Sequence, residues 1–246
     1  MHIMNNLDYM NGNGGYYSAS AVGAELSMAS YISKVMRRVF GKMFLGVLLT
    51  AFVALGIASS PNLLDMIFAN NFMFFGLIIA QFGLVIWLSA GINKMSSSTA
   101  SLLFYLYSAV TGVTLTPILF AYTGAAIIKT FFITAGTFGA MALYGYTTKK
   151  DLTKMGSILF MALIGLIVVS LVNIFLASDM LSWIVSGVGV LIFVGLTAWD
   201  TQKIKQMAYQ TDEQNVGKLA AIGALSLYLD FINLFLYLLR FFGSRD

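Results

Sequence analysis

The hydrophobic pattern of the chain consists of seven long apolar stretches joined by short polar links. Each stretch is close to the ~20 residues that a helix needs to cross a bilayer. Lipid offers no partner to open backbone groups, so helices are favoured. We predict an all-α membrane protein with about seven transmembrane helices; a six-span arrangement with one re-entrant stretch is the alternative. The predicted spans are Met43–Ser59, Phe68–Ala90, Ser101–Tyr122, Ala125–Tyr146, Met155–Ala177, Leu181–Thr201 and Ala220–Phe242.

The segment before the first span is rich in Asn, Gly, Ser, Ala and Tyr. No apolar run follows a basic start there, so it is not typical of a secretory signal peptide. We predict a flexible cytoplasmic tail over residues 1–33 and a seven-helix transmembrane domain over residues 34–246. An interfacial helix near Ala24–Val39 is a further expectation for the end of the tail.

Lysine and arginine occupy alternate links, which indicates the orientation of the bundle. With seven spans, the links on one side hold the basic residues, the opposite links hold no Lys or Arg, and only Lys129 sits just inside that opposite face. The positive-inside rule then predicts a cytoplasmic N-terminus and an external C-terminus. The basic residues of that side are Lys34, Arg37, Arg38, Lys42, Lys94, Lys149, Lys150, Lys154, Lys203, Lys205 and Lys218.

Composition narrows the possible chemistry. The chain is 59% hydrophobic and 10% charged, far below the roughly one quarter of charged residues in soluble domains. It has no cysteine and a single histidine, His2, which excludes thiol catalysis and His-based triads or metal sites within the bundle. The net charge of +4 is scattered between apolar runs, so nucleic acid is not an expected partner. We expect no enzyme activity, no cofactor and no resident metal.

The last span carries a polar stripe. Its polar residues recur at steps of four and three, so at about 100° per residue they share one face. A charge within hydrocarbon costs roughly 3 kcal/mol on insertion scales, so such residues face a partner or a water-filled cavity. This pattern predicts a polar or pore-lining face. The stripe consists of Ser226, Asp230, Asn233, Tyr237 and Arg240.

A second carboxylate, Asp200, lies near the end of the sixth predicted span. Because a short link makes spans six and seven antiparallel neighbours, Asp200 and Asp230 could meet. Two carboxyl groups in a medium of low dielectric tend to share a proton and titrate as a unit. Other interpretations stay open. Asp200 could cap its helix beside Lys203 and Lys205, Asp230 could be a structural hydrogen-bond partner, and Arg240 could extend to the membrane interface.

Pro117 interrupts the third predicted span within Thr114-Leu-Thr-Pro. Proline frees a backbone carbonyl one turn earlier, which threonine side chains can satisfy. We predict a kink there. Two roles are open for this kink: it lines a cavity, or it serves helix packing alone.

Several motifs resemble the Bax inhibitor-1 family, also called the transmembrane Bax inhibitor motif family. The resemblance covers about residues 35–243 and is strongest in the last span. It implies a last helix that is central, with six others around it, and a cytoplasmic-side pore latch formed by Asp200 and Asp230. Arg240 matches a motif arginine, whereas Gln81 and Gly91 depart from an acidic residue and an arginine of some relatives. The motifs are Thr116-Pro-Ile-Leu, Tyr144-Gly-Tyr-Thr-Thr-Lys-Lys-Asp-Leu, Trp199-Asp-Thr-Gln-Lys and Leu227-Tyr-Leu-Asp-Phe-Ile-Asn-Leu-Phe-Leu-Tyr-Leu-Leu-Arg-Phe-Phe-Gly.

The resemblance implies a pH-sensitive calcium leak channel, with Ca²⁺ as the permeant ion, in a bacterial plasma (inner) membrane. The alternative that it also allows is a non-transport modulator of a membrane protease or of a stress or cell-death pathway. An intramembrane aspartyl protease also uses two aspartates on neighbouring helices. That class is disfavoured because Leu227-Tyr-Leu-Asp stands where it has Gly-x-Gly-Asp.

Overall fold

The apolar stretches fold as helices. A computed structural model describes residues 19–69 and 71–243, and seven helical segments within them are long and apolar enough to cross a membrane. Each predicted span overlaps one of these segments, so the all-α, seven-span prediction is confirmed. The helices are α1 (Ala19–Ala58), α2 (Pro61–Phe68), α3 (Asn71–Gly91), α4 (Ser97–Leu115), α5 (Ile118–Ala121), α6 (Gly124–Thr147), α7 (Thr153–Leu176), α8 (Asp179–Tyr209) and α9 (Val216–Phe242).

The first helix is longer than the first apolar stretch. Helix α1 begins at Ala19 and continues without a break to Ala58, so the predicted tail boundary at residue 33 lies inside it. The reason is an apolar stripe at helical spacing, in which Ile32, Val35 and Val39 are buried. The predicted interfacial helix is therefore the first part of α1. Residues 1–18 of the predicted tail lie outside the described residues.

Helix α9 is the centre of the bundle, as the resemblance implied. It packs against α1, α4, α6 and α8, whereas α3 packs mainly on α4 and α7 on α8. The spans differ in how much of their most apolar part is buried. This share is 61% for the last span, against 6% for the second and for the fifth span. Four helices thus surround α9 directly and two form an outer layer, which corrects the expectation that six wrap it.

Helix α8 extends eight residues beyond the predicted end of the sixth span, Thr201, to Tyr209. Its extension is held by Gln202, whose side chain accepts from the Leu152 backbone N–H at 2.9 Å and donates to the Lys150 carbonyl at 2.8 Å. Ile204 and Ala208 are buried on the same extension. Lys203 and Lys205 therefore belong to a helix and not to a loop.

Helices α6 and α8 approach each other closely at Gly145. A Cβ atom at this position would overlap the backbone carbonyl of Ala198, so only glycine fits. This contact fixes the height of α8 two residues before Asp200.

The third span is interrupted at Pro117, where α4 ends and the short α5 begins. The Thr116 hydroxyl donates to the Gly112 carbonyl at 3.1 Å, which satisfies a group near the break. Pro117 does not line the polar cavity described below. Leu115, Ile118 and Leu119, on the two sides of the break, line a separate apolar cavity of about 360 Å³, so the kink lies at a cavity wall.

The links that carry most basic residues lie together at one end of the bundle. We call this end the basic face, and hydrogen bonds hold its parts together. The Tyr31 hydroxyl donates to the Thr211 carbonyl at 2.5 Å, and Lys205 Nζ donates to the Tyr146 carbonyl at 2.7 Å. Lys218 Nζ donates to the Asn93 carbonyl at 3.4 Å. The start of α1 and the links preceding α4, α7 and α9 therefore share one face. Its assignment to the cytoplasm stays a prediction.

Candidate functional site

A polar cavity of about 590 Å³ lies between α9, α8 and the outer helices α3 and α7. Four of the five residues of the predicted stripe on α9 line it, and Arg240 does not. Since α9 rises 1.5 Å per residue, the lined segment from Ser226 to Tyr237 is about 16 Å long. The cavity therefore spans roughly half of a hydrocarbon core that is about 30 Å thick. Its polar lining residues are Gln81, Tyr107, Asp200, Lys203, Ser226, Asp230, Asn233 and Tyr237.

Asp230 is buried near the middle of α9. Its side chain is 4% exposed, and its Oδ2 atom has no hydrogen-bond partner among the described residues. A buried carboxyl oxygen without a donor is costly. The alternative in which Asp230 is a structural hydrogen-bond partner stays a prediction.

Asp200 approaches Asp230 from α8. Its carboxyl group lies in hydrogen-bonding contact with that of Asp230, and it is half-buried. Asp200 is nine residues before the end of α8, whose C-cap is Gln210. The interpretation of Asp200 as a helix cap is therefore wrong, because the helix continues for more than two turns beyond it. We call Asp200 and Asp230 the acidic pair.

The chemistry of the acidic pair follows from what carboxyl groups can donate. A carboxylate only accepts hydrogen bonds, so two of them bond to each other only when one holds a proton. Without that proton two negative charges would face each other in a site of low dielectric, which is unfavourable. Within the described residues neither aspartate forms an ion pair with Lys203, whose Nζ lies 4.8 Å from the centre of the Trp199 ring.

Other polar groups extend the cavity wall. Gln81 on α3 donates from Nε2 to the Thr111 hydroxyl at 2.9 Å, so it faces the cavity but is fixed by α4. The sequence interpretation missed Lys203 and Tyr107 as lining residues. For Lys203 a signal existed, since it follows Asp200 by three residues and three residues share a helix face.

Aromatic rings bound the cavity at the end remote from the basic face. The Tyr237 ring stacks on Phe193, with centroids 5.8 Å apart and planes at 25°. Gly189 of α8 lies against the same ring, where a Cβ atom would come within 2.7 Å. Beyond Tyr237, Trp183 stacks on Phe241 at 4.9 Å. These two stacks, which we call the aromatic plug, lie along α8 and α9 between the cavity and the end of α9, and Trp183 is exposed on the outside of the bundle.

Arg240 lies in the last turn of α9 with an exposed side chain. It is ten residues from Asp230, about 15 Å along the helix. The structure therefore does not bring it to the acidic pair, which fits the interpretation of Arg240 as an interfacial residue.

A second polar cluster lies on another side of α9. The Tyr228 hydroxyl is 2.5 Å from the Thr50 hydroxyl, which also donates to the Ser108 carbonyl. The rings of Phe104 and Tyr107 pack edge-on against Tyr228, which is completely buried. Tyr228 therefore points away from the stripe of polar residues that lines the cavity.

Comparisons with known proteins agree with the geometry. The chain matches the family described as "Inhibitor of apoptosis-promoting Bax1" over residues 32–246. It is 55% identical over 213 residues to the "Inner membrane protein YbhL" of Escherichia coli (strain K12), covering 85% of this chain and 91% of that protein. A protein of Borreliella burgdorferi is 50% identical over 215 residues, covering 87% and 93% of the two chains.

A protein of Caulobacter vibrioides is 40% identical over 244 residues, covering 95% of this chain and 98% of its own. The family match begins within the first span, at residue 32, and covers the other six spans completely. This integral, multi-pass membrane protein therefore belongs to the Bax inhibitor-1 family.

Proposed function

We propose that this protein is a pH-sensitive leak channel for cations, with Ca²⁺ as the permeant ion, and that the acidic pair is its latch. It would act in the inner membrane of a bacterium with its N-terminus in the cytoplasm. The observation that carries the proposal is the contact between two carboxyl groups on the wall of a polar cavity inside a membrane bundle. Carboxylates and other oxygen ligands are the groups that Ca²⁺ prefers.

The latch would work through one proton. While Asp200 and Asp230 share it, α8 and α9 are held together along the cavity. A change in the number of protons on the pair replaces this bond by repulsion or by a different hydrogen bond, and the helices can separate. Charges inside a membrane commonly mark such proton and ion pathways.

The cavity supports a cation pathway that is closed at two positions along α9. It spans roughly half of the hydrocarbon core, from Ser226 to Tyr237. The acidic pair lies within it, and the aromatic plug closes its far end. Conduction therefore requires α8 to move relative to α9, and both closures join these two helices.

The proposal is tested with purified protein in liposomes that contain a calcium-sensitive dye, with equal pH on both sides so that mixed orientations do not matter. Asp230→Ala removes the latch, and we expect a leak that is high at every pH. Asp230→Asn keeps a permanent donor toward Asp200, and we expect a leak that is low at every pH. A charge-assisted hydrogen bond of ~1.5–3 kcal/mol corresponds to a difference of roughly 10- to 150-fold in leak between these variants.

The matched control is Asp65→Ala, which removes an exposed carboxylate of α2. It should leak like the wild type and follow the same pH dependence. If Asp230→Ala and wild type leak identically at every pH, the acidic pair is not a latch. If no form of the protein, wild type included, passes Ca²⁺, the alternative of a non-transport modulator of a protease or stress pathway is favoured.

A further inference from the structure

Helices α1 and α6 are neighbours around α9 but leave a gap between them. Each packs on α9, and α6 packs on α8, yet α1 and α6 share no substantial contact. Near the basic face this gap forms an apolar groove of about 610 Å³, which we call the inner groove. Its volume lies within the ~300–1,000 Å³ range of small-molecule sites. Its walls include Phe40, Phe44, Phe138, Gly139, Leu143 and Phe231.

The length of the inner groove matches one leaflet of a bilayer. It runs along α1 from Ser33 to Val47, fourteen residues or about 21 Å. This is half of a bilayer that is about 40–45 Å thick with its headgroup regions. Phe131 and Phe231, with ring centroids 5.7 Å apart, lie at its inner end.

The open side of the inner groove faces hydrocarbon, because α1 and α6 are both spans. A void there would forfeit dispersion contacts along both walls. The occupant of matching chemistry is an extended acyl chain.

A positive charge at the basic-face end of the inner groove favours a lipid with an anionic headgroup. Arg37 lines the groove at the basic face and is exposed. Among the residues that the structure describes, it forms no ion pair. A guanidinium with free donors matches a phosphate group in two-point geometry.

We propose that the inner groove is a binding site for an anionic phospholipid, with one acyl chain between α1 and α6 and the phosphate on Arg37. The site is separate from the polar cavity, since its floor is Phe231 and that of the cavity is Asp230. It does not depend on the proposed leak function.

The test of the groove uses a glycine on its wall. A Cβ atom at Gly139 meets nothing within 4 Å, so Gly139→Leu fills the groove without a clash. Gly136 of the same helix is equally free of neighbours and lies outside the groove, so Gly136→Leu is the matched control. Both variants should fold, since leucine favours helix over glycine.

Native mass spectrometry measures lipid retained by the detergent-purified protein after incubation with equal amounts of phosphatidylglycerol and phosphatidylcholine. We expect wild type and Gly136→Leu to retain phosphatidylglycerol preferentially, and Gly139→Leu to retain roughly tenfold less. Equal retention by the two glycine variants would overturn the site. Dimers in place of bound lipid, lost only in Gly139→Leu, would show a second copy in the groove and also overturn it.

The headgroup contact is tested in the same experiment. Arg37→Gln should remove the preference for phosphatidylglycerol while the total lipid retained changes little. Arg38→Gln, whose arginine lines a different small cavity with Glu213, should keep the preference. If Arg37→Gln selects phosphatidylglycerol as strongly as wild type does, Arg37 does not bind the phosphate.

Discussion

Helix α9 carries two buried polar side chains, Tyr228 and Asp230, that are two residues apart and have opposite surroundings. Tyr228 is enclosed by rings, and its hydroxyl is bonded to Thr50. Asp230 lies on a cavity of about 590 Å³ and has an oxygen without a donor. One face of the same helix is closed and satisfied, and the other is open and unsatisfied.

The contrast between Tyr228 and Asp230 indicates which face of α9 can respond to a proton. A satisfied buried group adds rigidity and has no reason to move. An unsatisfied carboxyl beside a second carboxyl changes its interactions whenever a proton arrives or leaves. We therefore propose that the Tyr228 face of α9 serves packing and that the Asp230 face serves gating.

The largest expected effect comes from treating the acidic pair as a unit. Asp200→Ala and Asp230→Ala should each raise the Ca²⁺ leak about tenfold, and the double variant should leak no more than either single one. If the two aspartates acted independently, the effects of the substitutions would multiply, and the double variant would leak about a hundredfold more than wild type. The liposome leak assay measures all three. Multiplying effects would mean that the two aspartates act separately.

A smaller effect is expected at the aromatic plug. In Gly189→Ala the new methyl group would come within 2.7 Å of the Tyr237 ring and displace it from Phe193. Overpacking of this kind costs ~1–3 kcal/mol. The leak should rise while its pH dependence persists, because the acidic pair is intact.

The matched control for the plug is Gly187→Ala, whose Cβ would lie 3.5 Å from Phe241, an ordinary contact. It should behave as wild type in both leak and thermal unfolding. A wild-type leak in Gly189→Ala, despite lowered stability, would remove the aromatic plug from the gate.

On the closed face, Tyr228→Phe should affect stability alone. Thr50 keeps its bonds to the Ser108 and Gly46 carbonyls, so the loss is about the 0.6 kcal/mol average for interhelical bonds in membranes. Thermal unfolding in detergent measures the loss, and the leak assay should give the wild-type pH profile. An altered pH profile would show that both faces of α9 take part in gating.

The smallest effect is expected for Arg240→Gln. The side chain is exposed and lies about 15 Å along α9 from Asp230. Its replacement should change the free energy of unfolding by less than about 0.5 kcal/mol. The leak should be unaltered, and a changed leak would connect the interface to the latch.

The spacing of polar residues was sufficient to predict the open face. Steps of four and three along one helix placed Ser226, Asp230, Asn233 and Tyr237 on a common wall, because helical periodicity is a local property. Arg240 shares the face but lies beyond the cavity, and periodicity alone cannot give the depth of a cavity.

Tertiary contacts determine what the sequence could not predict. Helix α8 continues past Asp200 because Gln202 bonds to the link before α7, a partner about fifty residues away. In the sequence, Lys203 and Lys205 follow the sixth apolar stretch and look like part of a polar loop. The bond between Tyr228 and Thr50 likewise joins residues 178 positions apart.

In the proposed latch, Asp200 and Asp230 hold one proton between them. Infrared difference spectroscopy of the protein in liposomes, as pH is varied, detects the C=O stretch of a protonated carboxylic acid directly. We predict one such band near neutral pH in wild type, absent from Asp230→Ala, shifted in frequency in Asp200→Ala because the buried Asp230 loses its carboxyl partner, and unchanged in Asp65→Ala. A wild-type spectrum with only carboxylate bands at neutral pH would contradict the account.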